Sequence, residues 1–115
     1  MTYSFRVLGS DGLTEYVVSV KKQNGRILAT CTCSAGIFGK LCKHKISMLS
    51  GQEDLLVLPN DETRKLLGEL ILEVRDTECA NHLAEIHLVT AELEKQKKRL
   101  DRAKKSLEKS LNPNS

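Results

Sequence analysis

The sequence predicts an α+β protein: a small metal-bound antiparallel β-meander with a short helix, followed by a long amphipathic α-helix with coiled-coil character. Three observations predict it. Residues 3–31 alternate apolar and polar in three short runs separated by turn signals, the two-residue period of half-buried strands. Cys31, Cys33, Cys42 and His44 fall in two close pairs, the donor types and spacing of a tetrahedral metal site. From Asp61 to Leu111 there is no Pro and a single Gly, Gly68, while apolar residues recur at helical spacing.

The first strand covers residues 3–8, with Tyr3, Phe5 and Val7 on one face. Gly9-Ser10-Asp11-Gly12 is a turn cluster. Residues 13–21 resume the alternation, with Tyr16, Val18 and Val20 pointing inward. Asn24-Gly25 predicts a tight hairpin, because both central residues of a type I′ turn need positive φ. Residues 26–31 form the third strand, with Ile27, Ala29 and Cys31 on one face, and it ends in the first ligand pair.

Ser34 to Lys40 reads as a loop between the ligand pairs, turned by Gly36 and Gly39. Ile37 and Phe38 are expected to pack under the site, because the chain has only four aromatic residues and a small core needs apolar area. A displayed Phe38 would be a stacking or wedge residue instead. Leu41 to Ser50 reads as a helix with Leu41, Ile46 and Leu49 inside, stopped by Gly51.

The ligand pairs carry the strongest chemical signal. A disulfide between Cys42 and either Cys31 or Cys33 leaves the other thiol and His44 unexplained, whereas one structural Zn²⁺ per chain explains all four residues. Such a zinc contributes about 10–16 kcal/mol of apparent binding free energy, which is folding free energy where no site is preformed. A module of about 50 residues buries too little surface to be comfortably stable alone. The N-terminal half is therefore expected to be unfolded or molten without metal.

At these residues the chain resembles the SWIM zinc finger, whose pattern is C-x-C, a variable spacer, then C-x-H. The match is Cys31-Thr32-Cys33, an eight-residue spacer, and Cys42-Lys43-His44. The spacer is at the short end of the family's range. The resemblance covers roughly residues 13 to 50 and no more of the chain. SWIM fingers occur in Swi/Snf-type ATPases, Mutator-type transposases, MEK-kinase-type ubiquitin ligases and small recombination accessory proteins. The resemblance implies binding to DNA or to protein without choosing between them.

Beyond the finger, residues 52–60 read as a connector, in which Leu55-Leu56-Val57-Leu58 forms a short strand or packs across the finger. Asn60 or Asp61 caps a helix start, with acidic residues in its first turn. Leu66, Leu67, Leu70, Ile71 and Val74 then make a broad apolar stripe. After a polar stretch the spacing resumes in heptad register: Ile86, Leu93, Leu100 and Leu107 in one row, Val89, Gln96, Ala103 and Ser110 in a weaker one. With no Gly or Pro to mark a turn, a mostly continuous helix over 61–111 is favoured over a hairpin broken near Asp76-Thr77. The expected organisation is residues 1–51 as the zinc module, 52–60 as connector, 61–111 as oligomerisation helix and 112–115 as a frayed tail.

An apolar stripe on a lone helix needs a partner. Ile86, Val89, Leu93, Leu100 and Leu107 are the candidate oligomerisation residues, through a homodimer or a protein partner with a matching seam. Cys79 and His82, one helical turn apart, could offer half of a second metal site; a small buried Cys79 beside exposed histidines is the favoured reading.

The net charge of +3 is unevenly spread. Residues 1–50 hold seven basic against two acidic residues, 51–77 three against seven, and 78–115 eight against six. Lys21, Lys22 and Arg26 at the hairpin, with Lys40, Lys43 and Lys45 at the second ligand pair, form one basic patch if they face the same way, a surface suited to phosphates. There is no nucleophile with a recognisable base, no P-loop and no dinucleotide motif, so an enzyme is not expected. No apolar run is long enough for a membrane span, no signal peptide is visible, and free thiols suit a reducing compartment, so an intracellular location is expected. Two functions follow. One is a non-enzymatic, dimeric zinc-finger adaptor mediating protein interaction in a nucleic-acid context. The other is a module binding DNA or RNA directly through the basic finger.

Overall fold

The computed structural model describes residues 2–111. The elements run β1 (Thr2–Leu8), β2 (Glu15–Gln23), β3 (Arg26–Cys31), α1 (Ser34–Ile37), α2 (Lys43–Leu49), α3 (Asp61–Val74) and α4 (Glu78–Leu111). The α+β class is as expected. The strands form one antiparallel sheet in the order β1-β2-β3. Phe5 lies opposite Val18, and Val18 opposite Cys31, so the first ligand continues the apolar row of the inner face. The β2–β3 hairpin closes at Gln23–Arg26, and Asn24 and Gly25 take φ of 53° and 76°, the left-handed pair such a turn requires. Between β1 and β2, the Asp11 carboxylate accepts the amides of Leu13 and Thr14, each at 2.9 Å. With the Thr14 hydroxyl foremost, these donors hold the Asp11 carboxyl down at about 2.

The inner face of the sheet buries Tyr3, Phe5, Val7, Val18 and Val20. Met48 and Leu49 of α2, Leu67, Leu70 and Val74 of α3, and Leu83 of α4 belong to the same core. The connector pairs with the free edge of β1. Leu8 N–H donates to Leu55 O at 2.7 Å, Val57 N–H donates to Arg6 O at 3.0 Å, and Leu56 is buried between. An open edge strand is thereby covered.

Two expectations about the second half are corrected. The helix is not continuous: α3 ends at Val74 and α4 begins at Glu78. No Gly or Pro makes the break. Thr77 makes it, with its N–H and its Oγ1 both bonding Val74 O, at 3.0 and 2.7 Å. A local side-chain bond of this kind offers the backbone an alternative to the helical ladder. Nor does the first compact unit stop near residue 51. It extends to Leu83, because Leu67, Leu70, Val74 and Leu83 bury their side chains in the sheet's core. The second unit begins at Ala84 and, over the described residues, is the remainder of α4. Residues 112–115, expected to be a frayed tail, lie outside the described residues.

Candidate metal centre

Each ligand is positioned by a different local device. Cys31 is the last residue of β3 and points into the core side of the sheet. Cys33 is the N-cap of α1, its Sγ accepting Gly36 N–H at 3.3 Å. Cys42 is the N-cap of α2, its Sγ accepting Lys45 N–H at 3.5 Å. His44 lies in the first turn of α2, its ring 5.3 Å from that of Tyr16 between centroids. A thiol at an N-cap meets the unpaired amides of a helix start, which favour its ionised form.

The four donor atoms lie within 4.8 Å of one another. Cys31, Cys33 and His44 are buried and Cys42 is half-buried. His44 is 5% exposed, yet neither of its ring nitrogens has a hydrogen-bond partner. A buried imidazole with both nitrogens unbonded is costly unless one of them is a ligand. The thiols show the same need. Burial pushes Cys31 up to about 12, with the neighbouring thiols of Cys33 and Cys42 adding to it. Burial also pushes Cys33 up, but the Gly36 amide, His44 and the other two thiols outweigh it and hold Cys33 down at about 6. Three thiols this close cannot all ionise together unless a cation sits among them. Donor set, spacing and the orphaned imidazole all fit one bound metal ion.

The expected loop between the ligand pairs contains a helical turn, α1, which buries no side chain. Gly36 makes the close approach possible: a Cβ there would lie 2.2 Å from Cys31 O. The sequence pattern predicts only a turn at Gly36. The signal that would have found its role is C-x-C-x-x-G, with a cysteine cap and a glycine whose amide bonds that cysteine. Ile37 and Phe38 do not pack under the site; they are 70% and 79% exposed. Leu41 is not on the inner side of a helix either, since α2 starts at Lys43 and Leu41 is 61% exposed. The core volume they were expected to fill is taken by α3.

The six basic residues fall in two groups along the chain. Lys21, Lys22 and Arg26 are exposed around the hairpin. Arg26 is five residues along β3 from Cys31, roughly 16 Å at strand rise, so this group sits at the far end of the sheet from the ligands. Near the site, Lys40 and Lys43 are exposed, and Lys43 Nζ donates to Ser10 Oγ at 2.7 Å. Lys45 is buried, and its Nζ donates to Lys40 O at 3.0 Å. With its amide on Cys42, Lys45 braces the second ligand pair and offers no charge to a partner.

In α4, Val89, Leu93, Leu100 and Leu107 are each more than half exposed, and Ile86 is half-buried. Cys79 is half-buried against the core, which raises its pKa, and His82 and His87 are exposed. Neither Cys79 nor either of these histidines joins a metal-binding group among the described residues. No described helix is long and apolar enough to cross a membrane. No family model, curated protein or solved structure matches the chain.

Proposed function

We propose that this chain is a non-enzymatic zinc-finger adaptor of the SWIM kind, paired through α4 and mediating protein interaction in a nucleic-acid context. Zinc is the ion this donor set suits: three thiolates and one imidazole are soft to borderline ligands in tetrahedral number. Four protein ligands complete the coordination shell, so the ion is structural. Reduced thiols as ligands support a location inside the cell.

The observation that carries the reading is the exposed row Val89, Leu93, Leu100 and Leu107 on α4. An isolated helix gains most of its stability from burying such a row. A second copy supplies the same row and closes the interface. Sedimentation of the zinc-loaded chain tests this. The expected result is a concentration-dependent dimer, converted to monomer by Leu93→Asp with Leu100→Asp while the metal content stays unchanged. A wild-type chain that remains monomeric at all concentrations contradicts the pairing.

A second reading, direct binding of nucleic acid by the finger, is supported by Ile37, Phe38 and Leu41 standing exposed beside Lys40 and Lys43.

A further inference from the structure

The segment between the ligand pairs is held by backbone hydrogen bonds, with Ala35 packed against the core and its larger apolar side chains turned outward. Ile37 N–H bonds Cys33 O at 2.9 Å, Gly39 N–H bonds Gly36 O at 3.0 Å, and Lys40 N–H bonds Ala35 O at 3.0 Å. Lys45 Nζ holds Lys40 O from the other side. The segment is thus fixed by backbone bonds and by the ligands at each end. Ile37, Phe38 and Leu41 nonetheless face solvent, in a chain with only two Phe residues. Display of large apolar groups on a preorganised tip lowers the entropic cost of binding.

Resting on the second reading above, we infer that this tip is a wedge for duplex DNA: Phe38, supported by Ile37 and Leu41, enters a base step while Lys40 and Lys43 contact the flanking phosphates. The composition favours this occupant. Wedges that part a base step are single apolar side chains, aromatic or aliphatic, beside cationic groups. A single-strand platform instead lines up several aromatic rings along a basic groove, and this tip has one ring. Lysine is depleted at the centre of protein interfaces, and here it stands on both sides of Leu41. A surface helix that inserts into a lipid interface presents a long apolar face, and α1 has four residues.

The test is fluorescence anisotropy of the full zinc-loaded chain against a labelled mixed-sequence duplex at about 50 and 200 mM salt. The expected result is binding that weakens about tenfold or more with Phe38→Ala, with metal content unchanged. Lys40→Gln should reduce the salt slope by about 0.9. Phe38→Trp should restore affinity. Because the chain has no Trp, the introduced indole is a lone reporter, and its emission should be quenched as the duplex is added.

Duplex binding that Phe38→Ala leaves untouched overturns the wedge and leaves direct binding standing. Absence of duplex binding overturns both and leaves the dimeric adaptor. Phe38-dependent binding to an oligo-dT strand but not to the duplex reassigns the tip to single-strand stacking. Phe38-dependent sedimentation with phosphatidylglycerol vesicles, without duplex binding, makes it a membrane tip; either result overturns the wedge.

Discussion

Gly36 shows how little space the centre leaves. Its missing side chain lets α1 lie against the end of β3, where a Cβ would come 2.2 Å from the Cys31 carbonyl oxygen. Backbone atoms cannot rotate away as a side chain does, so Gly36→Ala must push α1 away from the end of β3 and disturb the Cys31 and Cys33 thiols. Overpacking of this kind costs about 1–3 kcal/mol, to be read in a denaturant titration of the metal-loaded chain, and it should also weaken the metal in a chelator competition. Gly68→Ala is the control. It sits in α3 with open space around it and should stabilise by about 0.5–1 kcal/mol. At this scale the ligands were legible, because donor chemistry and spacing are written in residue type. Exposure was not. Alternation and composition say that Ile37 and Phe38 are apolar. They do not say that Leu67, Leu70 and Val74 have already filled the core.

Among the elements, the meander was the most legible part. Strand period, the Asn24-Gly25 turn and the Asn60 cap each rest on a local rule, and the structure places all of them as expected; the Asn60 side chain accepts Thr63 N–H at 2.9 Å. The break between α3 and α4 was legible only as the less favoured alternative, near Asp76-Thr77. It depends on Thr77 bonding back to Val74 and on burial of both flanks, which only the tertiary fold decides. The consequence is that the apolar stripe of α3 and the heptad row of α4 do different jobs. Leu70 is buried and Leu72, on the same helix, is exposed. Leu70→Ala should therefore destabilise the metal-loaded chain by about 2–5 kcal/mol, and Leu72→Ala should stay within about 0.5 kcal/mol. Equal effects in a thermal or denaturant titration would contradict the packing of α3 on the sheet.

For the molecule as a whole, the division of labour follows from where stability comes from. The first compact unit, up to Leu83, gathers every buried hydrophobic residue of the core around one small sheet, and its two ligand pairs tie β3 to α2. Among the described residues, the remainder of α4 carries Val89, Leu93, Leu100 and Leu107 exposed. Sequence patterning identified both halves but put their boundary too early, because an amphipathic helix looks the same whether its stripe faces its own sheet or a second chain. In the function proposed above, one zinc held by Cys31, Cys33, Cys42 and His44 folds the first unit. Native mass spectrometry of the reduced full chain beside Cys42→Ser tests it most directly. The expected result is one zinc per wild-type chain with a narrow, compact charge-state distribution, and loss of zinc with a broad, unfolded distribution in Cys42→Ser. A wild-type chain that is compact without metal, or a Cys42→Ser chain that keeps its full zinc, would contradict it.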